Sequence, residues 1–190
     1  SRCFWTAATA SAMGMAALGS TIDLHGGGGD LIFPHHECEI AQSESVTGDP
    51  FATHWMHAGL VGYQGEKMSK SLGNLVFVSE LSKQIDPRAI RLALMAHHYR
   101  YDYEWFDHEA VDAAVELDRL IAAAGAAEPV AKGGVVDEVR AALDDDLDAP
   151  RARLALLAAA NRISEGEGAP SRGRLVAAAA ICGLDLRRPA

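Results

Sequence analysis

The sequence predicts an α/β fold: a partial doubly wound parallel-sheet domain followed by an α-helical bundle. Three observations predict it. A short β-like run, Thr21 to Leu24, feeds a four-glycine stretch, Gly26 to Gly29, with helix-forming sequence after Pro34. A Gly-, Ser- and Lys-rich loop then runs from Gly62 to Asn74. Beyond Asp107 the chain turns to Ala-rich segments with apolar residues at helical spacing.

In chain order, the first ten residues carry no clear amphipathic period and read as an irregular start. Ser11 to Leu18 is helix-like, with Gly19 as its C-terminal cap. A helix is expected to begin after Pro34 and to continue through Ile40 toward Gly48, and Trp55 to Gly62 reads as strand and turn. Asp86-Pro87 is an N-cap followed by proline at the first helical position, with the helix running to about His98. Val111, Val115, Leu117 and Leu120 recur at helical spacing, as do Val139, Leu143 and Leu147. Ala-rich stretches at 152–160 and 175–182 add two helices, with Gly/Pro breaks at Gly125–Gly134 and Gly166–Gly173. Four short helices with brief loops predict an antiparallel bundle.

Composition bounds the function classes. Hydrophobic residues make up 49% and charged residues 23% of 190, an ordinary globular balance. No run of eighteen apolar residues occurs and no signal pattern opens the chain, so the expected location is cytoplasmic. Three scattered cysteines, Cys3, Cys38 and Cys182, imply no disulfide framework. Net charge is −9, and the segment from Asp107 onward holds fifteen acidic against ten basic residues. That distribution gives no electrostatic reason to propose a broad grip on nucleic acid.

Three constellations carry chemistry. Lys67-Met68-Ser69-Lys70-Ser71 sets two lysines three apart on a loop, where ammonium groups serve as mobile point charges beside a polyphosphate. A bare pair of this kind is more often a solvated basic loop. In His25-Gly26-Gly27-Gly28-Gly29-Asp30, glycines expose backbone N–H groups and let a nucleotide approach closely, while Asp30 can accept from hydroxyl or amino groups. Alone, such a run is commonly a flexible turn. His35 and Glu39, at i and i+4 on a helix starting near Pro34, share a face and can reach one ion, with His36 and Glu37 pointing elsewhere. Two ligands are too few for a site, and such a pair is ordinarily a surface ion pair.

Taken together, residues 11–100 resemble cysteinyl-tRNA synthetase and its relative, the ligase joining cysteine to glucosaminyl-inositol in mycothiol biosynthesis. The matching stretches are HGGGGDLIFPHHECEIAQSE (25–44), HWMHAGLV (54–61), GEKMSKSLGN (65–74) and HHYR (97–100). The resemblance implies a class I aminoacyl-tRNA synthetase-like, Rossmann-type catalytic domain whose second half spans 1–62. The KMSKS loop and a connecting helical region follow at 63–106, then the bundle at 107–190. It implies activation of L-cysteine by ATP, accompanied by Mg²⁺, with Lys67 and Lys70 as catalytic lysines. Gly28, Gly29, Asp30, Val61 and Lys70 are then nucleotide contacts, and His35 and Glu39 zinc ligands. Zinc takes a sulfur ligand more willingly than a hydroxyl, which is the family's basis for selecting cysteine over serine.

The departures are specific. Ala10 stands where the family has a zinc cysteine, and no HIGH-like motif is present; His57-Ala58-Gly59 is only a superficial echo of one. Cys38 has no assigned role in replacing the missing ligand. Leu75 to Leu81, Asp86 to Leu94 and Tyr101-Asp102-Tyr103-Glu104-Trp105 look more like the mycothiol ligase, whereas His36 to Glu44 is closer to the synthetase. Glucosaminyl-inositol is thus the favoured acceptor and tRNA the alternative, with a non-catalytic remnant or paralogue as a third reading. Further expectations are weak zinc binding, inactivity of these 190 residues alone, and self-association through an unpaired sheet edge.

Overall fold

A computed structural model describes residues 2–187, with side chains from residue 7 onward except Ala169. Cys3 and Trp5 therefore lie outside the described side chains, and Ser1 and residues 188–190 outside the described backbone. The chain divides into two compact units, residues 1–61 with 100–103, and residues 62–99 with 104–190. The predicted α/β class, a partial Rossmann-like domain followed by a helical bundle, holds.

The first unit opens with helix α1, Arg2–Leu18. This corrects the expectation of an irregular start: Ala7, Ala8, Ala10 and Ala12 lie in a segment free of proline, and Ala has the highest helix propensity. Such a segment needs no amphipathic period to be helical. Gly19 closes α1 with φ +98° and an N–H bond to Met15 O at 3.1 Å. Strand β1, Ile22–Gly28, continues through the first three glycines of the run. It pairs in parallel with β2, Ala52–Ala58, in a register that sets His25 beside Trp55, Gly27 beside His57 and Gly28 beside Ala58. β2 thus begins three residues before the predicted Trp55, because the Ala52-Thr53-His54 edge still pairs with Ile22 to Leu24.

Between the strands, a 3₁₀ turn at Gly29–Leu31 and a π turn at Ile32–His36 lead into α2, Glu37–Thr47. Phe33, just before Pro34, breaks the helical path with φ −131° and ψ 133°, and the regular helix starts at Glu37. Gly48, left-handed at φ 73°, ends α2 with its N–H on Glu44 O. This βαβ arrangement places the glycine run at the carboxyl end of a parallel strand. Among the described residues of this unit, Ala7, Ile22 and Phe51 are buried, alongside Ser11, His36, Glu39 and Ser43.

The second unit begins with a hairpin inside the segment expected to be all loop. Strands β3, Val61–Tyr63, and β4, Glu66–Lys67, are joined through Gln64 and Gly65, both at positive φ, the backbone twist that favours two-residue hairpins. Following α3, Val78–Leu81, helix α4 spans Pro87–Leu94 with Asp86 accepting from Arg88 N at 2.8 Å. It stops short of the predicted His98, since Ala96 and His97 turn back onto Ala93 and Leu94 in tighter i to i+3 bonds. Strand β5, Tyr103–Glu104, completes a three-stranded sheet of order β4–β3–β5.

Helices α5 (Asp107–Ala124), α6 (Val135–Asp144), α7 (Ala149–Ser164) and α8 (Ala169–Ile181) form the expected bundle. Leu120, Val136, Val139, Leu156 and Leu175 fill its centre. The seam of α5 is Ala110, Ala113, Leu117, Leu120 and Ala124, whereas Val111 and Val115 are exposed. The larger residues had suggested a neighbouring stripe; close packing selected the alanines instead. Leu147 likewise lies beyond the end of α6, exposed and at φ 55°. The tail packs back on α4, where Arg91 Nε donates to Cys182 O and Arg88 Nη1 to Asp185 O.

Candidate functional site

The buried polar residues of the first unit converge under the carboxyl half of β1. Residues of a strand alternate between faces, so His25 and Gly27 share one face, and their register partners Trp55 and His57 share it too. Helix α2 brings Glu39 onto this face. Its carboxylate, 1% exposed, accepts from His25 Nε2 at 2.9 Å and sits 3.5 Å from His35 Nε2. His36 is 3% exposed, and its Nδ1 lies 2.8 Å from His57 Nε2. The His36 ring also packs within 4.9 Å of His25 and 5.3 Å of Trp55, centroid to centroid. Burial, aided by the neighbouring His25, pushes the His36 pKa below its usual value and favours the neutral ring.

Glycine is what admits that ring. A Cβ on Gly27 would meet His36 Cε1 at 3.1 Å and Leu31 Cδ1 at 2.8 Å. The expectation that His36 points away from His35 and Glu39 is therefore corrected. The π turn ends at His36, three residues before Glu39, and i, i+3 positions share a helix face as i, i+4 positions do. Glu37, by contrast, is exposed. One donor atom each from His25, His36 and Glu39 lies within 4.8 Å of the others. His25, His36 and His57 are the functional candidates that motif reading missed. Period-two alternation on two parallel strands was the signal that could have found them.

The predicted nucleotide contacts gather at the ends of β1 and β2. Gly28 ends β1, Gly29 and Asp30 form the 3₁₀ turn, and Asp30 Oδ1 lies 2.7 Å from where a Gly28 Cβ would stand. Val61 follows β2 after Gly59 and Leu60, with Leu60 N donating to Asp102 Oδ1 at 2.6 Å. These residues occupy the carboxyl ends of adjacent parallel strands, where open α/β sheets bind ligands.

Lys67 and Lys70 belong to the second unit, Lys67 ending β4 and Lys70 on the loop after it, and both are exposed. Asn74 closes this loop, accepting from Ser69 N at 2.9 Å and donating from Nδ2 to Lys67 O at 3.2 Å. Ser69 Oγ accepts from Leu72 N, and Gly73 turns at φ 68°. A short loop held this way presents both ammonium groups from an ordered backbone.

With this geometry in place, comparison with known proteins is decisive. The family model described as the tRNA synthetases class I (C) catalytic domain matches residues 2–116. The chain belongs to that family. Among curated relatives of this class I chain, the L-cysteine:1D-myo-inositol 2-amino-2-deoxy-alpha-D-glucopyranoside ligase of Streptosporangium roseum is 50% identical over 159 residues. That match covers 83% of this chain and 39% of the relative. The protein of the same name from Catenulispora acidiphila is 52% identical over 144 residues, covering 75% and 34%. The chain thus spans about two fifths or less of the length of these relatives. Solved class I structures share its fold. The leucyl-tRNA synthetase of Agrobacterium radiobacter aligns with TM-score 0.64 at 18% identity, over 85% of this chain and 25% of its own. Methionyl-tRNA synthetase of Mycobacterium tuberculosis aligns with TM-score 0.55 at 20% identity, over 85% and 40%.

The zinc set implied by the sequence resemblance does not fit as a whole. Ala10 is exposed on α1 and carries no donor atom. Among the described residues, the convergent donor cluster contains neither His35 nor Cys38. No helix in the described residues is long and apolar enough to cross a membrane.

Proposed function

We propose that this chain is part of a cytoplasmic ligase that activates L-cysteine with ATP and passes it to the amine of glucosaminyl-inositol. The observation that carries the reading is identity of about half the residues with ligases bearing that substrate pair in their name. In this reading the cysteine carboxylate attacks the α-phosphorus of ATP, giving cysteinyl-adenylate and pyrophosphate. The acceptor amine then attacks the activated carbonyl, forming an amide and releasing AMP.

The residues are assigned by chemistry. Lys67 and Lys70 supply positive charge to the phosphates as negative charge builds on the departing pyrophosphate. Mg²⁺ accompanies ATP as part of the substrate. Gly28 and Gly29 leave the backbone open to close approach, Asp30 accepts from the nucleoside, and Val61 offers an apolar contact to the base. No step is assigned to zinc, because the family's ligand set is incomplete at Ala10.

The test joins this chain to the N-terminal part of the Streptosporangium roseum ligase, with Ala10→Cys, and measures cysteine-dependent exchange of pyrophosphate into ATP. Exchange is expected, and Lys70→Ala should lower it by roughly a hundredfold, the scale of one lost transition-state donor. Transfer of cysteine to tRNA but not to the amino sugar would overturn the acceptor.

A further inference from the structure

We propose that Asp102 is a positioning residue of the nucleotide crevice, holding Leu60 as an apolar wall beside Gly28. The ligand, a nucleoside triphosphate, rests on the ligase reading given above, whereas the two residues come from the geometry. Neither Asp102 nor Leu60 is among the contacts that the sequence resemblance supplies.

After leaving the first unit at Val61, the chain returns to it at residues 100–103. The returning segment meets the residues that follow β2 and grips one of them on both sides. Leu60 N donates to Asp102 Oδ1 at 2.6 Å, and Leu60 O accepts from Tyr103 N at 3.0 Å. A residue held at both its N–H and its C=O cannot turn without breaking a bond. Gly59 permits the approach, because a Cβ there would stand 2.1 Å from Tyr101 O.

The grip sets the direction of the Leu60 side chain. Its Cδ2 lies 3.3 Å from where a Gly28 Cβ would stand, and Asp30 Oδ1 lies 2.7 Å from the same point. Leu60 therefore packs over the glycine that ends β1, one residue before Val61. It is half-buried, so part of its apolar surface stays open to a ligand. Ligand crevices at the carboxyl ends of parallel strands combine such apolar walls with a few placed polar groups.

Asp102 acts through one side-chain oxygen and not through packing, since its side chain is exposed. Losing that oxygen frees the Leu60 N–H and lets the wall move. The parallel ladder between β1 and β2 does not involve Asp102 and stays paired.

The test uses the 190-residue chain and ATP. Amide exchange reads the grip, and calorimetric titration reads the crevice. Asp102→Ala should speed exchange of the Leu60 N–H about tenfold or more and weaken ATP binding about three- to tenfold. Asp102→Asn keeps an acceptor oxygen and should change each by less than about twofold. Leu60→Ala should weaken ATP binding as far as Asp102→Ala does, and the double variant little further, because both act through one wall. Exchange within β1 and β2 should match wild type in every variant, which separates positioning from loss of fold. Unchanged Leu60 exchange in Asp102→Ala, equal weakening by Asn and Ala, or faster exchange throughout β1 would each overturn the proposal. A wild-type chain with a protected Leu60 N–H that binds no ATP would instead overturn the nucleotide reading, and with it the ligand named here.

Discussion

Glycine and histidine show how single residues build this chain. A Cβ on Gly59 would fall 2.1 Å from Tyr101 O and 2.6 Å from Asp102 N. Both are backbone atoms, so no side-chain rotation relieves the clash. Gly59→Ala should therefore destabilise the first unit by about 1–3 kcal/mol, the usual scale of overpacking. Urea titration followed by Trp55 fluorescence reads it, and an unchanged midpoint would show that the segment carrying Tyr101 yields freely. The same scale shows what the sequence made legible. His35 and Glu39 were readable as neighbours because i, i+4 spacing depends on nothing outside the helix. His25 and His57 were not, because their placement on one face depends on a strand register set thirty residues apart. His36 was misread because only the i, i+4 spacing was weighed, whereas His36 and Glu39 at i, i+3 share a helix face as well.

Caps and loop closures set the elements. Asp86 caps α4, and its carboxyl is held below the ordinary range first by the hydrogen bond from the Arg88 side chain. Asp86→Ala should cost about 1 kcal/mol at neutral pH, as lost N-caps do. A depressed carboxyl stabilises the fold above its ordinary value and loses that contribution as pH falls through the lowered one. The difference between wild type and variant should thus narrow below about pH 4. Denaturation midpoints at pH 7 and pH 3 check this, and a gap that widens in acid contradicts it. On the KMSKS loop, Asn74→Ala removes both bonds that close residues 67–74. Faster amide exchange at Ser69, with little change in the melting of α5 to α8, is the expected signature. The cap at Asp86 was legible because Asp-Pro is a local signal. Helix α1 was not, because the search was for amphipathic period where alanine propensity decided the outcome. The α5 seam failed similarly, since small residues pack there while Val111 and Val115 face outward.

For the whole molecule, the decisive contrast is between the cores of its two units. The second buries Leu92, Leu120, Val136, Val139, Leu156, Leu175, Leu184 and Leu186, a continuous apolar interior. Among the described residues, the first buries Ala7, Ile22 and Phe51 with four polar residues, and exposes Met13, Leu18, Leu24, Phe33 and Val46. Each fully buried large apolar side chain contributes about 1.5–3 kcal/mol, so the difference is on the scale of the whole margin of a typical domain. The class of fold was legible because it rests on local texture, strands and glycines first and alanine helices after. The imbalance was not, since burial is a property of assembled faces. Unfolding should accordingly depart from two-state behaviour, with the first unit lost at lower urea. A chain with Trp5→Phe and Trp105→Phe leaves Trp55 to report the first unit, while far-UV circular dichroism is dominated by the helices of the second. The fluorescence midpoint should precede the dichroism midpoint, because the unit with the smaller apolar core opens first. Coincident midpoints would show that the two units share one cooperative transition.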